Sequence, residues 1–420
     1  MQNKLRVLVV PDYFSWVLGT WAKQIARVGT THDYYFFSQQ MLPHYPDEWN
    51  YLISKVDVIH FLNHWYVKDI LVPEDLARIN TVTHVASREE WEEQILPLTQ
   101  ADAVVVIAEE WKQFLNEKGI TSKYIHLFHV GVDTGKFHKF KNKLSARKQL
   151  GIYSDLKLIG YSAKFSSDYR GRKGVDVFLK ALQILSKKGC EFGVVITGPG
   201  WNEAVHIIEN YGIEVHYRPF LPDRFMPALY NSLDLYVCTA RVEGGPVPVI
   251  ESMACGTPVV VTPVGIVNDF LKDNTNALIV PKDDAHAVAH AIVRLLTSPE
   301  LRSQLANSAL QTVEKHLTWH HTLTGIEQLY TKVWQTKTGN SHRVDSSDII
   351  NPVNQRNWAI NVDSYLWHYQ LYQQQYRLEG LRGMVEGSLG VRGKDTLKLI
   401  GKTFDTLNKD FIRKIIEKRL

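Results

Sequence analysis

Arg241–Asp269 reads RVEGGPVPVIESMACGTPVVVTPVGIVND, and its punctuation predicts three elements in a row. The apolar run Leu233–Cys238 ahead of it is a strand. Glu243, Gly244, Gly245 and Pro246 make a tight turn, with Pro246 at a helix start, where its missing N–H costs nothing. Val247–Ala254 is then a buried helix, Gly256 ends it, and Pro258–Val261 is the next strand. A strand, a glycine turn, a buried helix and a second apolar strand in succession are the repeating unit of a parallel α/β sheet.

The same alternation runs outward from this stretch. On its two sides lie the strands Leu156–Tyr161, Phe192–Ile196, Ile213–His216 and Ala277–Val280, with helices over Lys173–Lys187 and Asp284–Leu296. A second set stands nearer the N-terminus: Leu5–Val10, Tyr34–Phe37, Val56–Phe61, Thr81–Val85, Ala103–Ile107 and Tyr124–Phe128, with helices over Glu89–Leu96 and Glu109–Lys118. Continuous apolar runs of this kind suit strands buried on both faces. Between the two sets, Lys136–Lys148 carries six basic residues and no acidic one, the composition of a solvated linker or, as the lesser reading, of a phosphate- or membrane-attracting patch. The expected fold is α/β, with two facing Rossmann-like doubly wound domains over 1–138 and 139–336. A linker and amphipathic helical extension follow over 337–420. In that extension Tyr365, Tyr369, Tyr372 and Tyr376 recur at helical spacing, as do Leu397, Ile400, Phe404, Leu407, Phe411 and Ile415. Residues 392–420 hold nine basic and four acidic side chains, which suits packing on the protein itself, on a second copy, or on an anionic membrane surface.

Composition removes several classes. Of 420 residues, 45% are hydrophobic and 11% aromatic, enough for packed cores and unlike a disordered chain. The 48 basic and 44 acidic residues give no whole-chain case for nucleic acid. Three cysteines without a Cys-x-x-Cys pair make no disulfide framework and fit reduced thiols. The apolar run before Pro11 is short for a signal peptide, and no stretch reaches the ~18 apolar residues of a spanning helix. The expected location is cytoplasmic, with any membrane contact peripheral on the inner face.

Two glycines before a helix start suit an anion or a hydroxyl-rich ligand, because they leave backbone N–H groups approachable. Glu251 follows Glu243 by eight positions on an otherwise apolar helix. A buried carboxylate needs a partner, either a ligand's hydroxyl pair or the protein itself. Upstream, Leu158–Gly174 reads LIGYSAKFSSDYRGRKG. Lys164, Arg170, Arg172 and Lys173 bracket a loop between a strand end and a helix start, a place that suits a diphosphate. The alternative for them is exposed loop charge. Thr83 and His84 end a strand; His60, Asn63 and His64 end its neighbour and could line an acceptor side. The chain has no Asp-x-Asp, and Gly198-Pro199-Gly200 is followed by Glu203, so the dinucleotide fingerprint fails. His286/His290 and His316/His320 lack further zinc ligands, and no Gly-x-Ser-x-Gly is present.

Together the Glu, Gly-Gly-Pro, Glu, Met-Ala-Cys-Gly and Pro-Val-Val elements resemble the retaining, nucleotide-sugar-dependent glycosyltransferases of the GT-B fold, the large Glu–seven residues–Glu family of the glycosyltransferase family 4 type. The resemblance runs from about Val7 to Trp334. It implies that Glu243 contacts the donor sugar near its reacting face and that Glu251 accepts hydrogen bonds from the nucleotide ribose. Gly244, Gly245, Pro246 and Val247 match the loop that holds sugar hydroxyls and diphosphate. Lys173-Gly174 matches the family's Lys-Gly pair, with Arg172 beside it, and Lys164 stands where the family carries Arg. His84 matches a histidine facing the reaction centre, Gly131-Val132-Asp133 a segment before the hinge, and Gly19 the glycine that lets a phosphate approach the first loop. The implied reaction moves a sugar from a nucleoside diphosphate sugar to a hydroxyl of a glycan, lipid or protein acceptor, with retention. No metal and no further cofactor are expected. Two other readings stay open: a nucleotide-sugar-binding scaffold subunit without chemistry, and a phosphorylase or epimerase on the same fold.

Overall fold

The computed structural model describes residues 4–14, 17–64, 70–83, 98–165, 170–339, 341 and 351–364. The chain divides into two compact units, Met1–Ala359 and Ile360–Leu420. The first unit contains two six-stranded sheets. One is built from β1 (Arg6–Val10), β2 (Asp33–Phe36), β3 (Val58–Phe61), β4 (Ala77–Val82), β5 (Ala103–Val106) and β6 (Ile125–Leu127), in the order β2-β1-β3-β4-β5-β6. The other holds β7 (Leu158–Ser162), β8 (Gly193–Thr197), β9 (Glu214–Arg218), β10 (Leu235–Cys238), β11 (Val259–Val261) and β12 (Leu278–Ile279), in the order β12-β11-β10-β7-β8-β9. Every pairing is parallel. The reason is legible in the strands themselves: RVLVV, AVVV and VVV are buried at every position, so both faces must be covered by helices.

In each sheet the strand order reverses once, between β1 and β3 in the first and between β7 and β10 in the second. Crevices beyond the carboxyl ends of strands at such reversals are where ligands sit in open α/β sheets. Beneath the second reversal the core is aromatic. Tyr161 stacks on Phe178 at 4.3 Å and meets Trp201 edge-on at 5.3 Å, and all three are buried. Rings packed this way give the ends of β7 and β8 a stiff floor.

Most of the expected elements are present within two residues of their expected ends. Among the described residues the exception is β4, at Ala77–Val82 rather than Thr81–Val85; the helix expected over Glu89–Leu96 lies outside them. Arg78 and Asn80 interrupt its apolar run, yet both are buried with partners. The Arg78 amide bonds Asp102 at 2.8 Å, and its guanidinium lies over the Phe61 ring at 5.3 Å. A pattern search for apolar residues misses a strand whose polar side chains are buried beside partners within the fold.

The helix Trp319–Thr338 packs on the first sheet. The Glu327 carboxylate accepts from the amides of Thr30 and Thr31, both at 3.1 Å, and from the Tyr34 hydroxyl at 2.7 Å. Trp319 meets Trp21 edge-on. The chain crosses between the sheets twice, side by side: the Val132 amide donates to the Leu317 carbonyl at 2.8 Å. Beyond it, Gln355 donates to the Phe36 carbonyl at 2.6 Å and accepts from its amide at 2.8 Å. One side chain thus occupies part of the open edge of β2, which would otherwise present unpaired backbone groups. The stripes expected at 365–376 and 392–420 lie outside the described residues.

Arg6 and Asp57 form a fully internal pair next to the first reversal. Two guanidinium bonds, at 2.9 and 2.6 Å, meet the Asp57 carboxylate, which has no exposed surface. Asp57→Ala leaves that guanidinium buried without its anion, so unfolding in urea should report a loss of about 3–5 kcal/mol. A loss under 1 kcal/mol would show that water reaches the pair.

Candidate functional site

The loops that leave β7 and β10 are stitched to each other. After β7, the short helical turn Arg170–Lys173 leads through Gly174 into the helix Val175–Lys187. After β10, residues 239–246 lead into the helix Val247–Ala254. The Tyr161 hydroxyl donates to the Lys173 carbonyl at 2.7 Å, and the Thr239 hydroxyl to the Gly174 carbonyl at 2.8 Å. The Arg241 amide donates to the Arg172 carbonyl at 2.8 Å. Gly174 has φ +63°, and a Cβ there would stand 1.9 Å from the Thr239 carbonyl oxygen. Only glycine combines that conformation with that approach.

This stitching brings the sequence-predicted charges together. Glu243 is buried, at 8% exposure. The Lys173 ammonium donates to its Oε1, and Arg172 Nη1 lies 3.4 Å from its Oε2. Two cations around one carboxylate leave a net positive charge in a partly buried place. Directly beside them the helix Val247–Ala254 begins. Among the described residues, none accepts a hydrogen bond from the amides of Gly244, Gly245 or Val247. Open amides at a helix start, with the positive end of its dipole, add to the pull on an anion. Lys164 stands two residues beyond β7 with its side chain exposed.

Glu251 lies further along the same helix. Of its two expected partners, the protein supplies one: the Tyr230 hydroxyl donates to Oε2 at 2.7 Å. Oε1 has no hydrogen-bond partner among the described residues. Burial pushes this carboxyl up to about 7, against the lowering effects of the Tyr230 bond and of Lys136, with Asp223 adding a further rise. It is a half-committed acceptor that titrates near neutrality.

The first sheet closes the turn from the other side. A Cβ on Gly244 would lie 1.5 Å from the Thr83 carbonyl oxygen, and one on Gly245 would lie 2.9 Å from Val130 Cγ1. The side-chain-free faces of these glycines are therefore taken up by the first sheet's loops, while their amides have no hydrogen-bond partner among the described residues. Two helix starts then cap each other across the seam. Glu110 of the helix Glu109–Glu117 accepts from the Gly265 amide at 2.8 Å, and Asp269 accepts from the Glu109 amide at 3.0 Å and bonds His129 at 2.8 Å.

Other expected residues are placed differently. The space beside Gly19 is filled by the backbone of Phe14, 2.3–2.4 Å from where a Cβ would be. The missing side chain of this glycine makes room for the chain's own first loop. His60 is wholly internal, bonded to the Thr81 hydroxyl at 2.7 Å and the Tyr330 hydroxyl at 2.8 Å, and burial lowers its pKa to about 3. It is neutral and braces the returning helix instead of lining an acceptor side. Asn63 and His64 are also buried, with Asn63 paired to Gln39 at 3.0 Å. His84 lies outside the described residues. The Arg241 contacts and the Glu110–Asp269 seam escaped the sequence reading. Arg241 stood in the quoted stretch, two positions before Glu243, but its partners are distant in the chain.

Residues 142–312 match the family model described as "Glycosyl transferases group 1". This stretch is similar to glycosyl transferases group 1. It contains β7 to β12 with the Lys173–Glu243 pair and the Val247–Ala254 helix. Among curated relatives, a D-inositol 3-phosphate glycosyltransferase of Salinispora arenicola is 28% identical over 49% of this chain and 49% of its own. The lipopolysaccharide core biosynthesis mannosyltransferase LpsB of Rhizobium meliloti is 27% identical over 48% of this chain and 63% of its own. The chain spans about half the length of the first of these relatives. Solved structures extend the likeness to both sheets. Sucrose-phosphate synthase from Thermosynechococcus elongatus superposes with a TM-score of 0.65 at 16% identity, over 79% of this chain and 100% of its own. The Anabaena protein HepE, solved in complex with UDP-glucose, gives 0.60 at 14% identity over 79% and 100%. Residues 142–312 thus hold the second sheet of a GT-B fold, and the β7/β10 reversal lies where open α/β sheets bind ligands.

Proposed function

We propose that this chain is a retaining glycosyltransferase that moves a sugar from a nucleoside diphosphate sugar to a hydroxyl acceptor, in the synthesis of a glycan, polysaccharide or glycolipid. The observation that carries this is the cluster of Lys173, Arg172 and Glu243 beside the open amides at the start of the Val247–Ala254 helix. The HepE complex with UDP-glucose supports the donor class.

In this mechanism the diphosphate lies against Lys173, Arg172 and the helix start, with Lys164 at the rim. The anomeric C–O bond to the diphosphate breaks, and its electron pair goes to the phosphate oxygen. Cations and amides fixed in place beforehand stabilise that charge as it forms, without a metal. The acceptor oxygen then bonds to the anomeric carbon from the face just vacated, and its proton passes to the departing phosphate oxygen. Glu243, freed in part from its cations by the competing anion, orients the sugar and supports positive charge at the anomeric carbon. Glu251 Oε1 takes hydrogen bonds from the ribose.

A thermal-shift screen of UDP-, GDP- and ADP-sugars tests the donor class, since a ligand of the native state raises stability by mass action. One sugar nucleotide should stand out, and no shift from any of them would overturn the proposal. The winner's affinity should depend on pH through Glu251. Ribose hydroxyls donate to the ionised carboxylate, so affinity falls below about pH 7, by up to about tenfold per unit. Stability of the free protein runs the other way. A folded pKa raised above the ordinary 4.5 is a contribution present below pH 4.5 and lost as pH rises through 7. Glu251→Gln should flatten both trends. The product's anomeric configuration, read by NMR against the donor's, tests retention.

A further inference from the structure

Arg241 grips three segments at once. Its Nη1 donates to the Gly171 carbonyl at 2.6 Å and to Asp176 Oδ1 at 2.9 Å, and its Nη2 to Asp176 Oδ2 at 2.7 Å. Its Nε donates to Asp283 Oδ1 at 2.5 Å. Its own amide holds the Arg172 carbonyl. Asp283 sits at φ +64°, a conformation that residues other than glycine rarely adopt, and so presents its carboxylate to this guanidinium. The hydrogen bond from Arg241 also keeps the Asp176 carboxyl below the usual carboxylate range.

We infer that Arg241 is a positioning residue for the anion-binding cations: it clamps the backbone of the turn Arg170–Lys173 so that Arg172 and Lys173 are held at Glu243. The inference rests on the proposed donor-binding role of that cluster. Two physical points favour placement over bulk stability. The three side chains are substantially exposed, at 27% for Arg241, 57% for Asp176 and 60% for Asp283, and exposed ion pairs add little to folding. Their bonds converge on the turn that carries the cations. Arg241 also neutralises Asp176, an acid in the first turn of Val175–Lys187 that would otherwise repel a diphosphate nearby.

Calorimetric titration with UDP, GDP and ADP, paired with thermal denaturation, tests this. For the diphosphate that the wild type binds, Arg241→Ala should weaken affinity about tenfold to a hundredfold, the scale of a small misplacement of binding groups. The melting temperature should move by only a few degrees. Arg241→Lys should not restore affinity, because an ammonium lacks the planar fork that spans Gly171 and both oxygens of Asp176. Asp283→Asn, which keeps the arginine and weakens one arm, should shift affinity in the same direction by a smaller factor. Affinity within twofold of wild type in Arg241→Ala, or a fall in melting temperature alone, overturns the inference. Should Arg241→Ala fail to fold, unchanged affinity in Asp283→Asn overturns it equally. A wild type that binds none of the three diphosphates removes the donor-site reading and this inference together, whereas binding that ignores these variants removes the inference alone.

Discussion

Lys173→Ala should lower turnover about a hundredfold or more, with a smaller effect on nucleoside diphosphate binding. A unit charge about 4 Å from the developing negative charge contributes about 4 kcal/mol at the effective dielectric of a protein surface, and about 1.4 kcal/mol is a factor of ten. The Lys173 side chain is 24% exposed, so water takes back part of the loss. Glu243→Gln should also reduce turnover strongly, for a different reason. The amide no longer draws Lys173 and Arg172 to one point, and it offers little support to positive charge on the sugar. Single-turnover rates with the donor found in the thermal screen separate these effects from product release. Full turnover in either variant would show that the chemistry takes place elsewhere.

Gly244→Ala should abolish most activity while leaving both sheets folded. The added Cβ would stand 1.5 Å from the Thr83 carbonyl oxygen, less than half an ordinary carbon–oxygen contact. Both groups are backbone, so the turn and the end of β4 must separate, and Glu243 moves with the turn. A displacement of about 1 Å at a reacting centre can cost about a hundredfold in rate. Gly245→Ala is the internal comparison. Its nearest neighbour is a side-chain methyl of Val130 at 2.9 Å, which can rotate away, so its loss should be several-fold smaller. Equal activity in the two variants would mean that the seam between Thr83 and Gly244 opens freely during turnover.

Much of this was written locally in the chain. The strands of the second sheet announced themselves because residues such as Val259, Val260 and Val261 are apolar without interruption and need cover on both faces. The turn and helix from Glu243 to Ala254 were equally plain, since Gly, Pro and an apolar run encode them over a dozen neighbouring residues. β4 was harder, because Arg78 and Asn80 find partners in Asp102, Gln100 and each other, and a one-dimensional pattern shows polarity but not its partner. Gly19 shows the same limit: a glycine marks a close approach without naming what approaches, and on its Cβ side it is Phe14.

By itself the sequence determined the α/β class, two parallel sheets, and the turn at which a cation-rich loop would face a helix start. Those are consequences of short-range order, set by periodicity, backbone conformation and the need to bury apolar faces. Only the tertiary structure decided that Tyr230 takes one oxygen of Glu251, that Thr83 rests on Gly244, that the helix Trp319–Thr338 returns to the first sheet, and that Arg241 joins Gly171, Asp176 and Asp283. Those pairs lie from 21 residues to nearly 300 residues apart. These contacts join segments remote from each other in the chain, so no local rule encodes them.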